Sequence, residues 1–416
     1  MKLRIFFQRN PRLIWLAGHL ALNILYTIII LNLGKLFGEA SAIAISSDTP
    51  IIFISILLFF SFIYFNIFLF NITFKFSLIP IKFKANEAGK NRIGLVLLVL
   101  QLLYFAYFLM SGVGVAGSTE KHQSILSQIW VLIPVDVLFL LYYSTYRGSK
   151  YFLLNLIVNI VSNLIRGWSG FLLTIIFIES CILIRQGRAS WPKLFYFSLV
   201  IISLYPVLYY GKIFSRYYGL SSDASFDDFL NTLSSFDLIN LLQEAIIQVG
   251  DRIQLISSAI STYEISNQLG DLIAIEIVAP FWNEGIHTLA WDRLFSETQR
   301  LDVGKAIANI LDPYSLNINW NSNPTFIGWF FIIPILSFLN IIYASLLVCI
   351  TSMLIKPIST AEVTKDFLWY MILVLIIPGW YGAYVLFVYG CFLYFLLHIL
   401  FISKIKVVKS CQNRPT

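Results

Sequence analysis

Isolated basic residues in an otherwise apolar chain are the groups best suited to chemistry here. Arg166 stands at the end of a short apolar stretch, and Lys212 and Arg216 stand four residues apart where a later one ends. Arg252 and Arg293 follow within a long polar segment. A guanidinium among apolar residues needs an anion or water, and its fixed fork of donors suits phosphate oxygens. These five residues are therefore candidates for binding a phosphate or pyrophosphate group.

Some of these residues also have an ordinary structural interpretation. Arg166 beside Trp168 fits an arginine that extends to the membrane interface. The residues Arg293, Glu297 and Arg300 have the i, i+4, i+7 spacing of a surface salt-bridge ladder. For Arg293 we favour the ladder, although it remains a candidate for contact with substrate.

A second set of residues has the chemistry for proton transfer. Glu284 and His287 stand three apart beside Trp282, and a helix would bring their side chains together. Either residue is therefore a candidate for proton transfer in a reaction. Four further titratable residues fall inside apolar stretches, where they serve a proton relay or hydrogen bonding between helices: His19, Asp136, Glu179 and His398.

The sequence lacks the short motifs that bind nucleotides or zinc. It has no glycine-rich phosphate loop, no HExxH pair and no GxSxG elbow. None of its four cysteines falls in the polar segment, so neither a disulfide framework nor a cysteine metal site is expected there. We predict a reaction that uses no metal and no cofactor, on a donor that is already activated.

The composition assigns the chain to a membrane. Hydrophobic residues make up 58% and charged residues 12% of the 416 residues, whereas a soluble domain has about 25% charged residues. About 20 apolar residues cross the hydrocarbon core as a helix, and the sequence predicts about ten such spans. They cover residues 13–36, 49–73, 93–113, 125–146, 151–165, 169–184, 194–212, 325–351, 367–380 and 383–403.

The basic residues predict how the chain crosses the membrane, because lysine and arginine collect in cytoplasmic loops. With the N-terminus inside, most of the 29 basic residues fall on that side, and both termini are cytoplasmic. Residues 213–324 then form one large external loop between the seventh and eighth spans. The net charge of +7 reflects this topology and not nucleic-acid binding. We predict one polytopic membrane domain, 1–416, in which the loop is embedded.

The polar loop is expected to contain helices. Apolar residues recur at helical spacing from Leu238 to Ile256, which predicts an amphipathic helix on the outer leaflet or over the mouth of the bundle. A broken helix or loop is expected after Gly270. Two tight turns, 166–170 and 378–382, join neighbouring spans, and we expect them to line one cavity.

Residues 163–170, Asn-Leu-Ile-Arg-Gly-Trp-Ser-Gly, resemble the arginine-glycine-tryptophan turn of bacterial oligosaccharide repeat-unit polymerases, the Wzy-type O-antigen polymerases. As in that family, a basic inner loop follows at 185–193, and then a large outer loop with isolated arginines. Arg293 and Gly304 match the R-x10-G pattern of some members. The family is similar to membrane glycosyltransferases of the C-type fold, so the resemblance implies an all-α fold of that kind.

The resemblance implies an activity at the periplasmic face of the bacterial inner membrane. A growing glycan would move from an undecaprenyl-pyrophosphate carrier onto a new lipid-linked repeat unit. The basic residues named above would neutralise the departing pyrophosphate, and Glu284 or His287 would act as base. Membrane lipid and a chain-length regulator protein are the other partners that the resemblance suggests.

Two other functions remain open at this point. An O-antigen ligase would share this topology and would use a histidine of the outer loop, which here is His287. A lipid-linked oligosaccharide flippase or transporter would explain the intramembrane acids Asp136 and Glu179. Transporters generally have repeated halves and short outer loops, and the sequence has neither.

Overall fold

A computed structural model gives the structure of the protein. Helices dominate the residues it describes, which confirms the all-α prediction, and the strands among them form one short antiparallel pair. The described residues are 10–75, 81–111, 130, 132–167, 170–187, 247, 250–251, 253–288, 300–313, 321–402 and 405–407.

The described part of the first half of the chain contains these elements: α1 Pro11–Leu33, α2 Ile51–Lys75, β1 Ile81–Phe83, α3 Glu87–Ser111, α4 Val135–Thr145, α5 Phe152–Ile165 and α6 Gly170–Arg185. Proline starts α1, where its missing N–H is harmless. Gly34 ends that helix in the left-handed conformation, with φ +61°, and its N–H bonds to the carbonyl of Ile30. The segments Gly38–Ala42, a 3-10 turn, and Tyr64–Leu69, a π segment of α2, complete this half.

The described part of the second half contains α7 Ile256–Glu264, α8 Ser266–Ala274, α9 Val303–Leu311, α10 Gly328–Ile332, α11 Ser337–Ile355, α12 Glu362–Met371, α13 Tyr381–Phe401 and β2 Ile405–Val407. Two 3-10 turns, Phe281–Asn283 and Pro334–Leu336, lie between these helices. The strands β1 and β2 pair in antiparallel fashion with Lys82 opposite Lys406. They tie the segment after α2 to the segment after α13.

Five of the described helices are long and apolar enough to cross a membrane: α1, α2, α3, α11 with its preceding 3-10 turn, and α13. This finding supports a membrane protein. The helices α4 and α5 are apolar but shorter. Described helices also lie within the other predicted spans, except for 194–212, which falls outside the described residues.

The helix α4 lies at the centre of the bundle and packs against α3, α5, α12 and α13. In a membrane, helices associate through close packing of small residues and through hydrogen bonds. A Cβ at Gly94 of α3 would collide with the Tyr142 hydroxyl oxygen, and one at Gly390 of α13 would come within 2.5 Å of Val137. These glycines therefore set the distance at which both helices approach α4.

The helix α12 ends in a π segment, Ile372–Ile376, in which hydrogen bonds span five residues. The N–H groups of Ile377 and Trp380 bond to the carbonyls five positions earlier, at 3.3 Å and 2.8 Å. The turn that follows contains Gly379 with φ +77°. A Cβ there would lie 2.7 Å from the backbone of Thr325, so only glycine fits this turn.

A cluster of ions joins α1, α6 and α12 at the end of the bundle that also holds the strand pair. Asp366 is fully buried, and its Oδ1 accepts from Nε of Arg12 at 2.6 Å and from Nη2 of Arg185 at 2.7 Å. Glu362 accepts from Nη2 of Arg12 at 2.8 Å. We call these four residues the ion clasp. Its charges are directed at one another across three helices, as buried charges require.

Of the polar loop, the described helix α7 packs among the bundle helices. The predicted amphipathic helix is interrupted at Gln254 and Leu255, and α7 then starts at Ile256. The cause is a tertiary contact: Oδ1 of Asn23 in α1 accepts from the N–H groups of Leu255 and Ile256, at 2.8 Å and 3.2 Å. The helix α7 packs against α1, α2 and α10, so its described residues belong to the core. The irregular segment expected after Gly270 follows α8, which ends at Ala274.

Candidate functional site

A cavity of about 550 Å³ opens at the end of the bundle opposite the ion clasp. Its wall includes the first residues of α4, α9 and α13, part of α3, and the loop around Glu284. Three helix N-termini therefore meet at one cavity. The predicted turn at 378–382 belongs to this wall, whereas the described residues of the turn at 166–170 do not.

Three carboxylates belong to the cavity wall. Asp136 lies in the first turn of α4, Asp302 is the residue before α9, and Glu284 lies in extended backbone. The partial positive charge at a helix N-terminus favours a carboxylate, which explains why acidic groups are tolerated here. The electrostatic character of the described wall is consequently acidic.

Glu284 combines burial with a negative neighbour. It is 6% exposed, and its Oε1 accepts from the backbone N–H of Val303 at 3.2 Å. Burial first, and then the charge of Asp302, raise the pKa of Glu284 to about 8, although hydrogen bonds from the backbones of Val303 and Gly382 favour the charged form. Both protonation states are populated near neutral pH, so this carboxyl group can accept or donate a proton.

Residues of α5 hold the Asp136 carboxylate in place. The Nη2 group of Arg166 donates to both oxygens, at 2.9 Å and 2.8 Å. The side-chain amides of Asn159 and Asn163 donate to Oδ1 at 3.1 Å and 2.9 Å. The Asp136 side chain is 37% exposed, and that of Arg166 is 4% exposed. A buried guanidinium thus fixes a carboxylate that lies on the cavity wall.

Arg166, predicted to meet a pyrophosphate, meets this internal carboxylate instead. Nη1 of Arg166 donates to the Tyr104 hydroxyl at 3.1 Å and Nε to the carbonyl of Ser162 at 3.4 Å, and Nη2 also reaches Oδ1 of Asn163 at 3.0 Å. Its guanidinium carbon also lies 4.9 Å from the centre of the Tyr104 ring. Because these donors already have partners, Arg166 would influence a ligand through Asp136.

Glu284 and His287 do not share a helix face, contrary to the prediction. Glu284 has φ −94° and ψ 129°, Gly285 has φ +129°, and a helical turn begins only at Ile286. This path leaves Glu284 buried at the cavity and His287 exposed, with Nε2 of His287 3.0 Å from the carbonyl oxygen of Trp282. The two side chains are therefore separate candidates.

The other predicted anion-binding residues lie outside the described part of the chain: Lys212, Arg216, Arg252 and Arg293. Arg300, predicted to join a ladder with Arg293, bonds to Glu276 at 2.7 Å instead. Glu297 also lies outside the described residues. Of the cavity-wall residues that the structure describes, none is lysine or arginine.

Aromatic rings and buried polar groups complete the described wall. The rings of Tyr104 and Trp130 are 5.3 Å apart between centres, and the buried indole N–H of Trp130 has no hydrogen-bond partner. Ser322 is 3% exposed and also belongs to the wall. Aromatic surface with a few directional polar groups is typical of a small-molecule site.

The remaining intramembrane titratable residues connect helices or bond locally. Glu179 accepts from Nη1 of Arg147 at 2.6 Å. His398 shares a hydrogen bond of 2.6 Å with the hydroxyl of Tyr146. His19 bonds to a backbone carbonyl of its own helix. Asp136 differs from all three because its side chain reaches the cavity.

Sequence reasoning missed Asp302 and the aromatic wall. The position of Asp302 before a helix is a visible N-cap signal, but its proximity to Glu284 depends on the tertiary fold. Asn159 and Asn163, four residues apart in an apolar helix, also indicate a polar face directed at other helices. From these two asparagines, the sequence could have predicted hydrogen bonds to a polar residue on a neighbouring helix, which is Asp136.

Comparison of the chain with protein-family models, curated protein sequences and solved structures gives no match. Within the described ranges, no group of three or more His, Cys, Asp and Glu side chains has the arrangement of a metal site. The functional proposal therefore rests on the fold, the cavity and the resemblance of the 163–170 turn.

Proposed function

We propose that the protein is a membrane glycosyltransferase that polymerises lipid-linked oligosaccharide repeat units. The growing glycan would leave an undecaprenyl-pyrophosphate carrier and join the terminal sugar of a new lipid-linked repeat. The observation that supports this best is Glu284, a buried carboxyl group with a pKa of about 8 on the wall of a cavity that also contains Asp136. Two carboxyl groups in different environments are typical of sites that combine proton transfer with stabilisation of charge.

In the proposed reaction, the Glu284 carboxylate removes the proton of the acceptor hydroxyl. The oxygen forms a bond to the anomeric carbon of the donor sugar, and the bond from that carbon to the carrier pyrophosphate breaks. The pyrophosphate leaves with the electron pair, and Glu284 later returns its proton to solvent. Glu284 is preferred to His287 as base because His287 is exposed and does not belong to the cavity wall.

Asp136 would stabilise positive charge that develops at the anomeric carbon as the pyrophosphate departs. Arg166 would then be a positioning residue, because it fixes Asp136 from behind. The pyrophosphate itself needs cations. We assign that contact to Lys212, Arg216, Arg252 and Arg293, as the sequence predicts.

The topology that accompanies this proposal has about ten spans, both termini in the cytoplasm and the 213–324 loop in the periplasm of a bacterial inner membrane. The architecture would be similar to the C-type glycosyltransferases. Reporter fusions test it: alkaline phosphatase fused after Ser322 is expected to be active, and the same fusion after Lys150 inactive. The reverse result would contradict this topology.

The test of function is the surface polysaccharide of a host deleted for the gene. The deletion is expected to leave core carrying a single repeat, and wild-type protein to restore the ladder on a gel. Loss of even the single repeat would favour the ligase or the flippase, and an unchanged ladder would reject a role in this glycan. His287→Ala separates ligase from polymerase further, because we expect this variant to polymerise normally.

A further inference from the structure

The cavity has a charge pattern that bears on which sugar it can accept. Its described wall contains the carboxylates of Asp136, Glu284 and Asp302, and no described wall residue is basic. The nearby guanidinium of Arg166 is buried and bonded to Asp136, so it balances that carboxylate only. The N-cap residue Asp302 has no side-chain bond to the helix that it precedes. Among the described wall residues, a ligand therefore meets a carboxylate at Asp302 that no described cation balances.

An unpaired polar group on the same wall points to a hydroxyl-bearing ligand. The buried indole N–H of Trp130 has no hydrogen-bond partner in the described part of the chain. Ser322, with a side chain that is more than nine-tenths buried, belongs to the same wall. Buried polar groups are normally satisfied, so a bound hydroxyl group would complete the Trp130 N–H. The Tyr104 and Trp130 rings offer an apolar surface beside it.

We propose that the acceptor sugar held in this cavity is neutral or carries an ammonium group, and that sugars with a carboxylate are rejected. This inference rests on the proposed function and names the substrate class of the same site. Hydroxyl and ammonium groups donate hydrogen bonds to carboxylates. A uronic acid would bring a further carboxylate into a partly buried acidic site beside Asp302, where like charges repel.

Polymerisation in membrane vesicles, supplied with the single-repeat lipid from the deletion host, provides the test. Soluble competitors are the methyl glycosides of glucose, glucosamine and glucuronic acid. We expect the glucosaminide to inhibit at a concentration at least about tenfold lower than the glucuronide, with the glucoside in between. Equal potency, stronger inhibition by the glucuronide, or no inhibition by the glucosaminide would overturn the inference while leaving the polymerase intact.

Two variants connect the selectivity with the cavity. Asp302→Asn removes one exposed wall carboxylate, so the inhibitory concentrations of the glucosaminide and the glucuronide are expected to become more similar. Asp271→Asn changes an exposed acid of α8 outside the cavity and is expected to keep the wild-type ratio of these two concentrations. A wild-type ratio in Asp302→Asn would count against the inference. Wild-type vesicles that form no polymer would reject the proposed function, and the inference with it.

Discussion

The two ends of the helical bundle differ in the exposure of an aspartate that pairs with arginine. In the ion clasp, Asp366 is completely buried and is shared by Arg12 and Arg185. At the cavity, Asp136 also pairs with an arginine, but its side chain is 37% exposed. Both are aspartate–arginine contacts between helices. The difference lies in what remains available: Asp366 has no exposed surface, whereas Asp136 presents an exposed carboxylate to a ligand.

Because of this difference, we expect Asp366 to serve the stability of the fold and Asp136 to serve function as well. A buried ion pair is a requirement of the fold, because removal of one partner leaves an uncompensated charge. A carboxylate that is fixed by a buried arginine and still reaches a cavity is pre-organised for a ligand. Glu284 completes the contrast, because its described surroundings contain an acid, Asp302, and no cation.

The largest expected effect is on stability, at the ion clasp. Asp366→Asn leaves Arg12 and Arg185 with only the half-exposed carboxylate of Glu362 and is expected to lower the free energy of unfolding by roughly 3–5 kcal/mol. Asp136→Asn is the matched variant at the cavity, and it leaves the buried guanidinium of Arg166 without its carboxylate, so we expect a cost of similar size. Only Asp136→Asn is expected to lower polymer formation as well, because only Asp136 reaches the cavity. Thermal unfolding in detergent and the vesicle assay at matched protein levels measure the two effects. Equal activity of the two variants would remove the distinction between the two ends.

The next effect is on catalysis, at the cavity. Glu284→Gln keeps the shape of the side chain but cannot accept the acceptor proton, so we expect polymer formation to fall about 100-fold or more. The protein should remain folded, because an amide avoids the burial of a charge. Rates in membrane vesicles at matched protein levels measure this, with Asp271→Asn as the control. A Glu284→Gln variant of normal activity would exclude Glu284 as base.

A smaller effect is expected in the pH profile. The active form of the base is deprotonated, so a pKa of about 8 for Glu284 predicts a rate that rises with pH up to about that value. Asp302→Asn removes a negative neighbour and lowers the pKa of Glu284, so the rise of the rate with pH is expected to occur at lower pH. Initial rates between pH 5.5 and 9, in roughly half-unit steps, reveal the shift. A rate that rises over the same pH range in both proteins would show that another group controls the rate.

The smallest effect concerns an ion pair that belongs neither to the ion clasp nor to the cavity. Arg300 bonds to Glu276 on the surface, and the Glu276 side chain is 74% exposed. Arg300→Ala is expected to change the free energy of unfolding by less than about 1 kcal/mol and to leave activity unchanged. Unfolding in denaturant and the vesicle assay check both. A large loss of activity would move Arg300 into the set of substrate-binding residues.

The sequence predicted the helices better than their breaks. Long apolar runs locate α1, α2, α3, α11 and α13, because a membrane-spanning helix needs little besides length and apolarity. The break at Gln254 and Leu255 could not be predicted, since the spacing of apolar residues continues through it. Asn23, more than 200 residues earlier, supplies the acceptor for the helix start. The spacing of apolar residues near the break cannot indicate a partner so distant in the sequence.

For the site, the sequence could indicate residue types but not neighbours. Arg166 was identifiable as a charge that needs an anion, and that anion proved to be Asp136, on a different helix. Glu284 was identifiable as an acid in the loop, but its pKa depends on burial and on Asp302, which only the fold provides. The predicted pairing with His287 assumed a helix where Gly285 turns the chain.

The π segment Ile372–Ile376 makes the cavity sensitive to the length of the chain as well as to its side chains. Each residue of a helix turns it by about 100°. A chain one residue shorter here would turn Trp380 away from the wall and would move Gly379 off the backbone of Thr325, on which it fits closely. Related sequences are therefore free to exchange apolar residues in this segment, but an insertion or deletion there would have to be balanced before Trp380.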